Sequence, residues 1–290
     1  MDFRAIVMGL AFVLMWSSAF TSARIAVEYA SPLLLLSVRF LISGLLAVGI
    51  ARLLGQNARL SRKQWVAVVL FGLLQNGVYL GANFIALQWI DAGLAAIIAS
   101  LLPLTVAAAS WAFLGSKISR TTLIGLMAGA LGVFIIMGAR LSGGADITGI
   151  LLAFLGVGAL TAATLLVRVA TSSGNVLMIV GLQMLVASAA LFPVSVLFET
   201  WRVEWTLTLI AAFTYTTLVP GVAATLIWFL LVRRIGTVQA ASFHFLNPFL
   251  GVVIAAIVLA ESLSYRDFLG VLVISAGIVA VQTGRRIEKP

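Results

Sequence analysis

Apolar residues run along this chain in ten long stretches, cut by short clusters of charge or of Gly, Pro, Asn and Asp. At about 20 residues per crossing of a bilayer's hydrocarbon core, they predict helices near 6–26, 32–52, 64–87, 92–113, 121–138, 147–167, 176–197, 206–232, 238–260 and 267–283. No connecting segment is long enough for a soluble domain, so any function must be built within the helical bundle. One stretch raises a question at once: Ala241–Glu261, "ASFHFLNPFLGVVIAAIVLAE", puts His244, Asn247 and Pro248 into an otherwise oily helix.

Composition agrees with the pattern. Hydrophobic residues make up 62% of the 290 and charged residues 9%, against roughly 45–50% and about 25% in soluble domains. The expected fold class is an all-α membrane protein. The first apolar run could be mistaken for a secretory signal, but an internal match described next requires it as part of the fold. Cysteine is absent and histidine occurs once, which excludes disulfides, thiolate chemistry and nearly every transition-metal site. No metal and no cofactor is expected.

Sliding the chain against itself by 145 residues aligns Ile98–Gly132 with Phe243–Gly277 without a gap, pairing Pro103 with Pro248, Ser119 with Ser264, Gly125 with Gly270 and Gly132 with Gly277. A shift of 144 pairs the first two predicted helices with the sixth and seventh, matching Arg24 with Arg168 and Arg39 with Gln183. The chain reads as five helices written twice, over 1–140 and 141–290. Because five is odd, the second copy enters the membrane inverted, an architecture of secondary transporters that carry a central site between the halves. Interruptions fall in matched places, which points to that site: Gln75-Asn76-Gly77 in the third helix against Pro220-Gly221 in the eighth, and Pro103 against Pro248.

The formal charge of +9 changes the picture only through its distribution. Arg4, Arg52, Arg59, Arg62, Lys63, Lys117, Arg120, Arg168, Arg233, Arg234, Arg285, Arg286 and Lys289 fall on the side shared by both termini. Arg24, Arg140, Arg202 and Arg266 fall on the other, and Arg39 lies within a span. This asymmetry over short loops predicts cytoplasmic termini and gives no reason to expect nucleic acid as a partner.

The segments "LMWSSAF" in the first helix, "SPLLLLSVRF" in the second and "LNPFLGVVIAAIVLAESLS" in the ninth resemble the signatures of the EamA family in the drug/metabolite transporter superfamily. The resemblance covers nearly the whole chain as two five-helix halves. It implies a ten-helix exporter of small metabolites in the bacterial inner membrane, with a cavity walled mainly by helices 1, 3, 4, 6, 8 and 9. Within the family it is most similar to YddG-like exporters of aromatic amino acids. Two departures stand out: Ser116 occupies the place of a glutamate that the second half retains as Glu261, and Gln183 replaces the arginine that the first half retains as Arg39.

The candidate cavity residues are Trp16 and Ser17, Tyr79 and Asn83, Trp228 (the repeat counterpart of Asn83), His244 and Asn247, and the prolines Pro103 and Pro248. Each has a plainer reading. Small serines let helices approach and Trp fills volume, and a neutral histidine can bond a neighbouring helix. His244 and Asn247 have Ala99 and Leu102 as counterparts, so only one half carries the polarity, which favours recognition of an asymmetric solute. In that reading His244 and Asn247 bind its polar end while Trp16 and Trp228 contact its apolar part. Thr161 and Thr164 can satisfy their hydroxyls on their own helix, and Trp65, Trp89, Trp201 and Trp205 fall at span ends, where an aromatic belt explains them.

Arg39 lies about 10 Å into the second helix at 1.5 Å per residue, a depth at which an unpaired charge is costly. It could hold a substrate carboxylate or bind carbonyls exposed at a neighbouring helix break. The structural role is favoured, since the second helix is not expected to wall the cavity. All nine acidic residues fall in loops or at helix ends, so no mid-membrane carboxylate offers a proton relay, and facilitated or weakly coupled efflux by a monomer is expected. An intramembrane hydrolase using His244 with Ser242 or Ser100 is disfavoured. Residues two apart on one helix point roughly 200° apart, and no Gly-x-Ser-x-Gly elbow is present.

Overall fold

Helix starts fall where the sequence supplies a partner for orphan backbone donors. Asp2 accepts from Ala5 N, Thr206 from Leu209 N at 3.1 Å, and Ser61 with Gln64 forms a reciprocal capping box. Asp146 accepts from Thr148 N at 2.7 Å and Gly149 N at 3.2 Å. The Gly149 and Thr148 N–H groups hold its carboxyl below the ordinary carboxylate range. The contribution of this cap is present above the unfolded pKa and fades as pH falls through the folded one.

The computed structural model describes residues 2–90, 95, 98–137, 146–171, 175–259 and 265–284. Asp91, Arg140, Glu261, Ser264, Arg285, Arg286 and Lys289 lie outside these. The described residues form helices and no β-strand. We label them α1 (Phe3–Tyr29), α2 (Pro32–Leu53), α3 (Arg62–Ala86), α4 (Leu102–Leu114), α5 (Arg120–Met137), α6 (Ile147–Ala170), α7 (Val176–Phe198), α8 (Leu207–Ile235), α9 (Thr237–Ser242, Phe243–Leu246 and Asn247–Leu259) and α10 (Tyr265–Thr283). Among the described residues, six helices, α1, α2, α3, α6, α7 and α8, are long and apolar enough to cross a bilayer, and α4, α5 and α10 carry shorter apolar helices. The protein is a multi-pass membrane protein.

The expected breaks in the third and eighth helices are corrected. The Gln75-Asn76-Gly77 and Pro220-Gly221 sites do not interrupt their helices. Each lies in a π-helical segment, Gly72–Leu80 in α3 and Thr217–Ala224 in α8, where the wider turn absorbs the irregularity and the rod continues. In the fourth predicted helix Ala95, Ile98 and Ala99 are helical, Ser100 and Leu101 form a turn, and helix resumes at Leu102 with Pro103 in its first turn, a place where the missing N–H does no harm. The ninth tightens into a 3₁₀ turn at Phe243–Leu246 before Pro248 opens the next helical segment.

Two antiparallel helix crossings are the most extensive contacts, α2 with α7 and α5 with α10. Both depend on glycine. A Cβ at Gly44 would lie 3.0 Å from Gly181 O and one at Gly181 2.9 Å from Gly44 O. On the same crossing Ser188 Oγ donates to Ser37 O at 2.8 Å and Ser37 Oγ to Ser188 O at 3.4 Å. A Cβ at Gly125 would lie 2.6 Å from Gly277 O, and one at Gly132 2.7 Å from Gly270 O. Small residues at such sites let backbones approach where lipid gives no hydrophobic drive to associate.

The loop contacts sort helix ends into two groups. At one end Asp2 pairs with Arg234 and Gln56 accepts from Met178 N at 3.0 Å. At the other Glu199 accepts from Leu33 N and Leu34 N at 2.8 and 2.9 Å, and Arg202 donates to Glu28 O. A carboxylate at the start of α2 also complements the helix dipole.

Gly125→Val should drive a side chain into the Gly277 carbonyl and destabilise the α5–α10 crossing by about 1–3 kcal/mol, read as a lower melting temperature of the detergent-solubilised protein. Gly158→Ala, where an added Cβ meets nothing within 4 Å, should leave melting unchanged or slightly raised.

Candidate substrate cleft

Phe12 and Trp16 lie one turn apart on α1, an i,i+4 spacing that presents both to the bundle interior. Their rings are 5.4 Å apart. Phe12 stacks on Trp228 of α8 at 4.9 Å, and Trp16 lies nearly parallel to Tyr79 of α3, with centroids 6.2 Å apart and planes 6° apart. The His244 ring of α9 meets Phe12, Trp16 and Trp228 edge-on at 5.2, 5.9 and 5.3 Å. The chain's only histidine is thus boxed by three aromatic rings, and all five side chains are buried.

Beside this cluster is a cleft of about 30 Å³, walled by Trp16 and Ala19 of α1, Arg39 of α2, Tyr79 and Asn83 of α3, Leu87 just past its end, and Pro220 of α8, among others. That space holds a water or two, too little for a solute in this conformation. Trp16, Tyr79 and Asn83 come together here. Trp228, His244, Asn247, Ser17, Pro103 and Pro248 are not among its walls. Arg39 is, contrary to the expectation that the second helix would stay outside.

The second half's π segment explains Arg39. Pro220 lacks an N–H, so Thr216 O, four residues back, loses the donor an α-helix would supply. Arg39 Nε donates to that carbonyl at 3.1 Å, and Ser43, one turn further along α2, donates to Thr217 O at 3.1 Å. Gly221 leaves room for this approach: a Cβ there would lie 3.0 Å from Thr216 O and 3.2 Å from Ser43 Oγ. In the first half Gln75 stands where Pro220 does and keeps its N–H. The counterpart of Arg39 there is Gln183, whose Oε1 accepts from Asn76 Nδ2 and whose Nε2 donates to Val180 O at 3.0 Å.

The polar residues of α9 face one another. Asn247 Nδ2 and His244 Nδ1 are 2.9 Å apart, and Ser17 Oγ donates to Asn247 Oδ1 at 3.1 Å. Phe243 and Phe245 hold this 3₁₀ turn by packing onto Gly9 and Gly129, where a Cβ would lie 2.4 Å from each ring. Ser242 Oγ instead donates to Gln239 O at 2.8 Å, so a Ser242–His244 catalytic pair is absent. Thr161 and Thr164 bond Val157 O and Leu160 O of their own helix, each at 2.8 Å.

Sequence reasoning missed Phe12, the ring that joins α1, α8 and α9. Its spacing of four from Trp16 was the available signal. Trp228 also holds a surprise: among the described residues its buried Nε1 has no hydrogen-bond partner, an unspent donor of a kind native structures seldom leave.

With this geometry in view, similarity to known proteins can be placed. The EamA-like transporter family profile matches residues 3–138 and again 147–283. The chain belongs to the EamA-like transporter family. It is 29% identical over 282 residues to the uncharacterized transporter YvbV of Bacillus subtilis, covering 97% of this chain and 92% of that protein. It is 27% identical over 283 residues to the uncharacterized inner membrane transporter YedA of Escherichia coli, covering 95% and 89%. Protein PecM of Dickeya dadantii is 24% identical over 239 residues, covering 82% and 80%. A crystal structure shares the fold at a TM-score of 0.79 and 22% identity, covering 99% of each chain. An EamA-like membrane transporter, not an enzyme, is the setting in which the cleft has to be understood.

For this EamA-like protein the Arg39–Thr216 bond yields a direct test. Arg39→Met should lower the melting temperature, and Pro220→Ala, which returns an N–H to the i−4 carbonyl, should offset part of that loss. A double-mutant cycle should give a coupling of about 0.5–3 kcal/mol. Strict additivity would show that the arginine does not serve that carbonyl.

Proposed function

We propose that this transporter exports amino acids with aromatic or other apolar side chains from the cytoplasm by alternating access, through ten spans arranged as two inverted five-helix units, 1–140 and 141–290. The observation that carries the reading is the pair of π-helical segments, Gly72–Leu80 and Thr217–Ala224. They begin 145 residues apart, the offset of the sequence repeat, and each contributes to the cleft, through Tyr79 and Pro220. Irregular helix at matched places beside a central site is the arrangement from which repeats rock against each other.

The crossings support the inversion. Under the repeat offsets Ser37 maps to Gly181 and Gly44 to Ser188, while in contact Ser37 meets Ser188 and Gly44 meets Gly181. Gly125 and Gly132 behave likewise with Gly270 and Gly277. Reciprocal contacts of this kind are the mark of a two-fold axis, and antiparallel crossing of equivalent helices requires opposite orientations.

The aromatic cluster favours a flat apolar solute, and the Trp228 N–H, without a partner among the described residues, offers it a donor once the cleft opens. The site forms within one chain, so a monomer suffices. Cytoplasmic termini follow from the thirteen-to-four distribution of basic residues, and the absence of a carboxylate deep in the predicted spans favours facilitated efflux.

Cysteines introduced at Asn57 and Asp146 should react with an impermeant reagent from opposite faces; labelling from one face would refute the inversion. In proteoliposomes, counterflow of labelled aromatic amino acids should exceed that of nucleobases and persist without a pH gradient. Preference for another solute class would redirect the substrate assignment within the same superfamily.

A further inference from the structure

The cleft wall contains one charged side chain, Arg39, and no carboxylate. Arg39 is 3% exposed, and among the described residues it has no ion-pair partner. Its Nε is engaged by Thr216 O, and its guanidinium lies 5.2 Å from the centre of the neighbouring Phe40 ring. A guanidinium carries five N–H donors in a planar fork, so the hinge carbonyl uses one and leaves the Nη side uncommitted. A buried cation without a counter-ion is unfavourable inside a membrane protein, and the shape of the fork matches a carboxylate bidentately.

The other polar groups of the wall, on Trp16, Tyr79 and Asn83, carry no charge. Asn83 Nδ2 donates to Tyr79 O at 2.8 Å on its own helix. The His244–Asn247–Ser17 group is bonded internally and does not border the cleft. Trp16 and Tyr79 present aromatic faces, and no acidic group in the wall could receive an ammonium.

We propose that the cleft takes solutes with an aromatic or apolar body and one anionic end, that Arg39 is the anion's partner, and that an ammonium group on the solute is not required. This rests on the transporter reading above and extends it from amino acids to organic anions in general. Because the same guanidinium holds Thr216 O, arrival of the anion bears directly on the π segment of α8. The free space of about 30 Å³ means that Trp16 and Tyr79 part as the solute enters.

The test uses the full chain in proteoliposomes, with efflux of four preloaded probes measured above protein-free vesicles: L-phenylalanine, 3-phenylpropionate, L-phenylalaninamide and phenethylamine. Both carboxylates should leave at least about tenfold faster than the two amines, since a site built to pair a polar group rejects analogues lacking it. Arg39→Gln should erase that difference, and Arg39→Lys, which keeps the charge but not the fork, should retain part of it. Should Arg39→Gln fail to fold, the wild-type ratio and Arg39→Lys still decide. Flux of phenethylamine or the amide equal to that of the carboxylates would overturn the proposal while leaving the transporter reading intact. Flux of some other solute with none of the four moving would do the same. No protein-dependent flux of any solute would count against both.

Discussion

Pro220 takes a backbone donor out of α8 inside hydrocarbon, where no water can replace it, and the fold meets this constraint with a π turn and with the guanidinium of Arg39 donating to Thr216 O. Much else follows from that bond. It requires α2 to lie close against α8, with Ser43 bonding the adjacent carbonyl and Gly221 leaving the gap through which both side chains reach. The position of α2 is fixed from its other side by α7, where Gly44 and Gly181 let the two backbones nearly touch. A bulkier residue at that crossing would shift α2 and with it the donor that the π segment of α8 depends on.

The two halves solve the same problem with different chemistry. In α8 a proline has deleted a donor, and a cation on another helix replaces it. In α3 every residue of the π segment keeps its N–H, and an amide pair, Asn76 with Gln183, ties the segment to α7. This accounts for the loss of the arginine from the second half: without a proline at position 75 there is no deleted donor for it to replace. A charge at position 183 would be buried, as Gln183 is, with nothing comparable to serve.

The helices were legible in the sequence because a bilayer demands long apolar runs, and the runs near 6–26, 32–52, 147–167 and 176–197 fall inside helices extended by their caps. The positions of the irregularities were legible as well, through Pro220, Pro248 and Gln75-Asn76-Gly77. Their form was not, because whether a helix breaks or widens depends on donors from helices distant in sequence. The cleft was legible in part for a similar reason. Sequence marks Trp16, Tyr79 and Asn83 as residues of an interior face, and it gives the depth of a side chain along its helix. It does not give the direction in which a neighbouring helix turns its face, which is why Arg39 entered the wall while Trp228 and His244 closed into the adjoining aromatic cluster. Glu199 was read only as a helix-end acid. Its role in capping α2 depends on a contact spanning more than 160 residues, for which no local pattern exists.

Helix α1 is the element through which the site holds together. Phe12 reaches Trp228 and His244, Trp16 reaches Tyr79, Ser17 bonds Asn247, and Ser18 Oγ lies 2.6 Å from the Tyr215 hydroxyl. These four residues link α1 to α3, α8 and α9 within two turns. Opening the cleft therefore cannot leave α1 bound equally to all its neighbours: it must separate either from Tyr79 on the α3 side or from the Trp228–His244–Asn247 side. The α3 side is joined by one stacked pair at 6.2 Å and, nearer the end of α1, by Arg24 Nη1 donating to Leu87 O at 2.7 Å in a half-buried position. The other side is joined by closer ring contacts and by hydrogen bonds that would be left unsatisfied in a low-dielectric interior if broken. The difference favours α1 moving with α8 and α9 as one body while Tyr79 and the π segment of α3 yield, which makes the Trp16–Tyr79 stack the natural parting line of the cleft.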